Sequence, residues 1–215
     1  MSQIKAIIFD LDGTLIDSVI DLANSVNYTL EKIGLPVHTQ DEVRSYVGDG
    51  VSRLIRRSLG QTHLDKFDEA FAIFMDHYGR HCMDNTVLYP GVGKVLPELA
   101  RDYSLAVLTN KSVAFSHKII TGLGIDSCFR EVLGGDSLET KKPEPDGILY
   151  LADKWSLDPA TEMVMVGDHV TDIEVGQRAG CKTVFITGGI GVTRDMTPDF
   201  VIDSMLELSA LLESL

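Results

Sequence analysis

The hydrophobic and polar positions of the chain follow two rhythms, and the first of them predicts a parallel β-sheet. Short unbroken apolar runs, each followed by polar residues, alternate with helix-like segments, which is typical of strands buried on both faces of a sheet. This alternation predicts an α/β fold, a doubly wound parallel sheet of the Rossmann-like class with helices on both faces. The predicted strands cover residues 6–9, 105–108, 132–133, 163–166, 183–186 and 200–202.

The second rhythm covers residues 16–88, where apolar residues recur every three or four positions and predict amphipathic helices. Thr39 and Glu42 have the spacing of a capping box, which marks the start of one of these helices. The predicted helices cover residues 19–33, 40–47, 51–59 and 64–78. We therefore expect an α/β core made of residues 1–15 and 89–215, interrupted by an all-helical insert of residues 16–88.

The first apolar run leads directly into two carboxylates, Asp10 and Asp12. Residues two apart in an extended segment project to the same side, so these carboxylates face one small volume. Like charges held together are costly unless a proton or a cation neutralises them, which indicates a metal site, an acid/base pair or both. A calcium loop is excluded because its sixth position, here Leu15, requires glycine. A plain turn remains the alternative.

Polar residues follow the other predicted strands as well, namely Thr109 and Asn110 in one case and Asp168 with Asp172 in another. The carboxyl ends of parallel strands meet at one edge of a sheet, so these side chains are expected to converge with Asp10. A set of oxygen ligands favours a hard cation such as Mg²⁺, which also accepts phosphate oxygens. Lys142, in a loop with two prolines, can neutralise phosphoryl oxygens.

Composition and charge narrow the function classes further. The 215 residues are 44% hydrophobic, enough for a substantial core, and the formal net charge of −13 argues against a nucleic-acid partner. The three cysteines lack the close spacing of zinc or redox sites. No apolar run approaches the length of about 18 residues that spans a membrane, and the amino terminus has no signal-peptide pattern. We expect a cytoplasmic protein without a membrane partner, either monomer or homodimer.

Four motifs then stand in a recognisable order: residues 10–14, Thr109-Asn110, Lys142-Pro143 and residues 167–172. In this order they resemble the motifs of the haloacid-dehalogenase superfamily of phosphohydrolases, and the resemblance covers essentially the whole chain. It implies that the helical insert is a cap that closes over the site. It also implies that Asp10 is the nucleophile that forms an aspartyl-phosphate, while Asp12 protonates the leaving alcohol and then activates water.

The same resemblance implies the remaining site residues and a Mg²⁺ cofactor. Thr109 and Lys142 would hold the phosphoryl oxygens, with Asn110 beside them. Mg²⁺ would be bound by Asp168, the Asp10 carboxylate and the Asp12 backbone carbonyl, and Asp172 would support that site. The dehalogenases of the family lack a carboxylate at the position of Asp12, so its presence favours phosphoryl transfer.

Residues 46–55 of the insert resemble the corresponding stretch of bacterial phosphoglycolate phosphatases, which implies 2-phosphoglycolate as the small-molecule substrate. Backbone amides near Gly48 and Gly50 could bind its carboxylate, and Arg53 either adds charge there or faces solvent on a helix–helix turn. The same chemistry on a sugar phosphate, a nucleotide or pyrophosphate, or a sugar-phosphate mutase, remains the alternative. A non-catalytic phosphate-binding protein would not need both Asp10 and Asp12.

Overall fold

A six-stranded sheet, with every strand parallel to its neighbours, forms the centre of the computed structural model, which describes residues 4–215. The strands are β1 (Ala6–Phe9), β2 (Ile16–Asp17), β3 (Val87–Leu88), β4 (Ser104–Leu108), β5 (Glu131–Leu133), β6 (Met163–Gly167), β7 (Lys182–Ile186) and β8 (Phe200–Ile202). Their order in the sheet is β5-β4-β1-β6-β7-β8, while β2 and β3 form a separate pair. The predicted doubly wound parallel sheet is confirmed.

Ten helices surround and extend the sheet in residues 4–215. They are α1 (Val19–Lys32), α2 (Gln40–Tyr46), α3 (Val51–Leu59), α4 (Phe67–His81), α5 (Val92–Leu99), α6 (Val113–Gly122), α7 (Asp146–Trp155), α8 (Pro159–Glu162), α9 (Val170–Ala179) and α10 (Leu208–Glu213). Thr39 and Glu42 form the reciprocal capping box predicted at the start of α2. None of the helices in this range is long and apolar enough to cross a bilayer.

The central strand β1 shows why the apolar runs are unbroken. Ile7 and Phe9 lie in one hydrophobic cluster, and Ala6 and Ile8 lie in a second cluster on the opposite face of the sheet. All four side chains are fully buried. Because helices cover both faces, no position of the strand can be polar until the strand ends at its carboxyl edge. The first charged side chain after Lys5 is therefore Asp10, at the edge of the sheet.

The helices α1 to α4 lie between β2 and β3, which pair in antiparallel fashion with Ile16 opposite Leu88 and Asp17 opposite Val87. These two short strands lie at the ends of the segment of residues 16–88, and the apolar pattern did not predict them. Two-residue strands are too short to produce an apolar pattern of their own. The pairing places the two segments that connect the insert to the sheet side by side.

Helix α9 follows β6 directly, and the apolar pattern did not predict it. This helix buries Thr171, Asp172 and Gly176 together with its apolar residues, so the usual alternation of buried apolar and exposed polar positions is obscured. The local feature that marks this helix is the capping arrangement at its start. The His169 side chain accepts a hydrogen bond from the backbone of Thr171, and Asp172 accepts one from the backbone of His169.

A buried carboxylate joins α1 to the segment that returns from α4 to the sheet. Asp21 is 1% exposed and accepts hydrogen bonds from the backbone and side-chain amides of Asn85. It also accepts from the backbone amide and the hydroxyl of Thr86, at 2.9 and 2.8 Å. Five donor contacts compensate the loss of water around this carboxylate, so the junction depends on it.

We predict that Asp21→Asn destabilises the fold, because an amide nitrogen would face donors that need an acceptor. The expected loss in the free energy of unfolding is about 2–3 kcal/mol. Urea denaturation followed by circular dichroism measures it, with Asp153→Asn on the exposed face of α7 as the matched control, expected within about 0.5 kcal/mol of wild type. Equal stability of both variants would contradict the role of Asp21 in this junction.

Candidate active site

Three of the predicted site residues directly follow neighbouring strands. Asp10 follows β1, Thr109 follows β4 and Asp168 follows β6, and β1 lies between the other two strands. The register places Phe9 of β1 opposite Val107 and Val166, so the three strands end at the same level. The structure therefore brings these three polar side chains to one edge of the sheet, where each is at most 5% exposed.

The carboxylates of Asp10, Asp168 and Asp172 form a tight cluster at this edge. Each offers an oxygen atom, and these oxygens all lie within 4.8 Å of one another. The ammonium of Lys142 lies 2.9 Å from Asp10 Oδ1 and 2.6 Å from Asp172 Oδ1, and its side chain is 1% exposed. One buried positive charge thus faces three buried carboxylates. The adjacent Lys141 lies outside the cluster and donates to the Asp49 carbonyl at 2.9 Å.

This imbalance of charge appears in the pKa values of the cluster. Burial raises the pKa of Asp10 to about 6, with Asp172 adding to the rise and Lys142 opposing it. Burial and then the charges of Asp10 and Asp172 raise the pKa of Asp168 to about 7. The cluster has one positive charge against three carboxylates, and its candidate metal ligands are all carboxylate oxygens. Both properties fit a hard divalent cation such as Mg²⁺.

Asp168 is held in one orientation by groups that the sequence pattern did not single out. The hydroxyl of Thr14 donates to its Oδ1, and the backbone amides of Ile190 and Gly191 donate to its Oδ2, each at 2.8 Å. Gly13, at φ +92°, lies so close that a Cβ there would collide with the Asp168 carboxylate. The glycine-rich loop of residues 188–191 therefore binds a carboxylate of the protein itself.

The side chain of Asp12 points away from the carboxylate cluster. It accepts hydrogen bonds from the hydroxyl of Ser18 and from the ammonium of Lys111, whose Nζ lies 2.8 and 3.0 Å from its two oxygens. Burial alone would lower the pKa of Lys111, but Asp12 and Tyr78 raise it above its ordinary value. Asp10 and Asp12 thus occupy different environments, as two carboxylates with different roles require.

A small cavity lies between the inserted helices and the strand ends, with about 50 Å³ of free volume. The insert contributes Leu22, Val47, Gly48, Gly50, Val51, Leu54, Phe74 and Tyr78 to its lining, and the sheet side contributes Asp10, Asp12, Thr109, Asn110, Lys111, Ser112 and Phe115. The wall is mostly apolar, and the two aspartates with Lys111 are its charged groups. A site of this type suits the small organic part of a ligand.

Three buried polar atoms at this cavity have no hydrogen-bond partner: the Tyr78 hydroxyl, Asn110 Oδ1 and the Ser112 hydroxyl. Buried polar groups are nearly always paired, because leaving one unpaired costs about 1–3 kcal/mol. The grouping of these atoms around one cavity indicates that a bound ligand completes their hydrogen bonds. Phe74 and Tyr78 also belong to the buried core of the insert, as their helical spacing predicted.

The insert closes over the cavity through contacts with the sheet side. The Asn110 side-chain amide donates to the Gly48 carbonyl at 3.0 Å, and Lys141 donates to the Asp49 carbonyl at 2.9 Å. Gly48 has φ +115°, and a Cβ there would lie 3.1 Å from the His169 ring. A larger residue at this position would therefore push the insert away from the sheet.

The structure does not bring Arg53 to the cavity. Its side chain is 62% exposed and pairs with Asp49 Oδ1 at 3.0 Å, and Arg57 binds the other oxygen of Asp49. Of the two interpretations that the sequence left open for Arg53, the structure corresponds to the solvent-facing one. Gly48 and Gly50 do line the cavity. Lys111 and Tyr78 line it as well.

Comparisons with known proteins agree with this geometry. Residues 7–186 match the family model of the haloacid dehalogenase-like hydrolases. The phosphoglycolate phosphatase of Nitrosococcus oceani is 37% identical, covering 99% of this chain and 98% of its own length. That of Vibrio vulnificus strain CMCP6 is 40% identical, with 96% and 95% covered.

A solved structure extends the similarity to three dimensions. The crystal structure of a predicted phosphoglycolate phosphatase from Haemophilus somnus superimposes with a TM-score of 0.92 at 35% identity. The match covers 98% of this chain and 99% of that one. The similarity therefore includes both the sheet and the inserted helices. The chain belongs to the haloacid dehalogenase-like hydrolase family and is a phosphatase of that family.

Proposed function

We propose that this phosphatase is a Mg²⁺-dependent phosphomonoester hydrolase that acts through an aspartyl-phosphate and that its substrate is 2-phosphoglycolate. The observation that carries the proposal is the separation of two neighbouring carboxylates. Asp10 lies in the carboxylate cluster beside Lys142, and Asp12 lies outside it against Lys111. A nucleophile and a proton donor need this kind of difference in environment.

The proposed domain division follows from the same site. The proposed catalytic core comprises residues 1–15 and 89–215, of which residues 1–3 lie outside the described part of the chain. Residues 16–88 form a cap whose contacts at Gly48 and Asp49 close the cavity. Closure of a cap excludes water from the reacting phosphoryl group. The paired strands β2 and β3 form the connection between cap and core.

Mg²⁺ would be held by the carboxylates of Asp10 and Asp168 and by the backbone carbonyl of Asp12, with Asp172 in support. When bound, the ion supplies positive charge that stabilises the phosphoryl oxygens in the transition state. The charge deficit described for the cluster supports this assignment. Lys142 remains beside Asp10 and would neutralise a further phosphoryl oxygen, and the Thr109 hydroxyl would donate to another.

Two steps follow for the chain's own residues. Lys142 and the Leu11 amide both contact Oδ1 of Asp10, which leaves Oδ2 to attack phosphorus. The new O–P bond forms as the ester bond breaks, and Asp12 gives its proton to the departing alkoxide. Asp12 then takes a proton from water, which attacks phosphorus and releases phosphate with Asp10 regenerated. Dividing the hydrolysis in this way replaces one difficult displacement by two easier ones.

The cavity supports a small leaving group. Its free volume of about 50 Å³ favours a small organic group over a bulky one. The names of the relatives point to phosphoglycolate in the same way. A sugar phosphate, a nucleotide, pyrophosphate or mutase chemistry would require a different cap position. We further infer a cytoplasmic location, which suits three buried cysteines without disulfides.

We predict that Asp10→Asn lowers kcat by at least about 1,000-fold, because the amide cannot act as the nucleophile. The fold should persist, since the substitution removes one charge from a crowded cluster. Steady-state kinetics and thermal unfolding measure the two effects, and acid-quenched wild-type enzyme should carry labelled phosphate that Asp10→Asn lacks. Asp203→Asn, on the exposed loop after β8, is the matched control. Near-normal turnover by Asp10→Asn would refute the covalent route.

We predict that Mg²⁺ stabilises the folded protein in the absence of substrate. At about 10–100 times its dissociation constant, the ion should add about 1.4–2.7 kcal/mol, or about 3–10 °C in Tm. Asp168→Asn should lose this shift because it removes a charged ligand, whereas Asp203→Asn should keep it. Calorimetry with and without a chelator measures the shift. An undiminished shift in Asp168→Asn would exclude this cluster as the ion's site.

The substrate assignment is tested by kcat/KM over a panel with Mg²⁺ and a chelator control. The panel contains 2-phosphoglycolate, hexose phosphates, nucleoside monophosphates, pyrophosphate and p-nitrophenyl phosphate. We expect 2-phosphoglycolate to exceed the others by at least about 100-fold, or about 2.7 kcal/mol in transition-state binding. Activity should vanish with the chelator. A flat panel would leave the hydrolase chemistry in place and overturn the substrate.

A further inference from the structure

Lys111 is a buried cation in a cavity that is otherwise largely apolar. Its side chain is 6% exposed, and its ammonium contacts both oxygens of Asp12 and lies 5.0 Å from the ring centroid of Tyr78. Lys111 directly follows the Thr109-Asn110 motif in the sequence. The proposed steps assign roles to Asp10, Asp12, Thr109 and Lys142 but none to Lys111. Burying a charged ammonium costs free energy, and its pairing with Asp12 does not by itself explain why the charge lies here.

Two unpaired hydroxyls line the same cavity. The Tyr78 side chain is 1% exposed and its hydroxyl has no partner. Ser112 precedes α6 as its N-cap residue, yet its buried hydroxyl makes no capping bond and also lacks a partner. Both groups can donate, and Lys111 supplies further donors. The positive end of α6 adds to the same potential. This side of the cavity therefore offers hydrogen-bond donors and a positive charge to a ligand that accepts hydrogen bonds.

The position of Lys111 relative to Asp12 defines which part of a substrate it can reach. Asp12 must come within hydrogen-bond distance of the ester oxygen in order to protonate it. The Lys111 ammonium lies 2.8 Å from Asp12 Oδ1, and both residues line the cavity. In 2-phosphoglycolate the carboxylate is joined to the ester oxygen through a single methylene. A carboxylate in that position falls within reach of the ammonium.

We propose that Lys111, together with the hydroxyls of Tyr78 and Ser112, binds the carboxylate of the leaving group and so determines the substrate. The proposal rests on the proposed phosphomonoester hydrolysis and names the part of the site that selects the leaving group. A carboxylate pairs the two unsatisfied hydroxyls and shares the ammonium with Asp12. A neutral alcohol of the same size leaves that donor set incompletely paired, which is how a polar site rejects an analogue.

Arg53 is the alternative residue for binding the carboxylate, and its environment in the structure differs from that of Lys111. Arg53 is 62% exposed and pairs with Asp49, a buried carboxylate that also binds Arg57. It does not line the cavity. Binding of the carboxylate at Arg53 would require both a new orientation of its side chain and loss of the Asp49 pair. The two residues therefore make opposite predictions for the same experiment.

The test compares kcat/KM for 2-phosphoglycolate with that for 2-hydroxyethyl phosphate, which has an alcohol in place of the carboxylate. We expect the wild-type ratio to be at least about 100. Lys111→Met keeps the aliphatic stem and removes the charge, and we expect it to lower the ratio at least about 10-fold. The ratio cancels any loss that both substrates share through Asp12. Arg53→Met should change the ratio by less than about threefold.

A second variant tests the proposal independently if Lys111→Met does not fold. Tyr78→Phe removes only a hydroxyl without a partner, so the thermal stability should be preserved. We expect it to lower the ratio by about 3–10-fold through a selective loss for 2-phosphoglycolate. Tyr150→Phe, at a partly exposed tyrosine of α7, is the matched control and should leave the ratio unchanged.

The outcomes distinguish this inference from the proposed function. A wild-type preference for 2-phosphoglycolate that persists in Lys111→Met and Tyr78→Phe would overturn the inference and leave the function standing. A ratio lowered only in Arg53→Met would likewise overturn the inference and leave the function standing. If the enzyme prefers a different carboxylated phosphate and Lys111→Met abolishes that preference, the inference stands. The assignment of 2-phosphoglycolate as the substrate is then overturned. A wild-type ratio near one would overturn both.

Discussion

The crowding of carboxylates at the end of the central strands is the constraint on which the rest of the structure depends. Asp10, Asp168 and Asp172 approach within 4.8 Å, and Lys142 supplies one compensating charge. Such an arrangement survives only because the surrounding groups hold it in place. Thr14 and the loop of residues 188–191 donate to Asp168, and the backbone of His169 donates to Asp172. The remaining charge deficit is what a divalent cation relieves.

The site has two halves that the aspartates connect. One half is the buried carboxylate cluster, which suits a phosphoryl group and a cation. The other half is the cavity beneath the inserted helices, whose wall is apolar except for a few donors. Asp12 lies at the border and contacts Lys111, so the proposed proton donor and the proposed selector of the leaving group are adjacent. This adjacency offers a physical route by which substrate selection and proton transfer are coupled.

Membership of the family explains the chemistry of the first half, and this chain's own residues decide the second. Relatives that match over nearly the whole chain share both the sheet and the insert. The conformation of residues 48–50 and the contacts of Asn110 and Lys141 set the size of the cavity. Small changes at these contacts would alter which ligand fits, because the free volume is only about 50 Å³.

Sequence alone determined the features that depend on neighbouring residues. The apolar run of β1 required burial on both faces, the capping box of α2 is local, and the rule for strand ends placed Asp10, Thr109 and Asp168 at one edge. It did not predict α9, which buries polar residues, or the two-residue strands β2 and β3. Tertiary structure also decided which positively charged side chain faces the cavity. Lys111 meets Asp12 across 99 positions of the chain, and Arg53 is turned to Asp49. Packing of the insert on the sheet sets both contacts, and no local pattern encodes it.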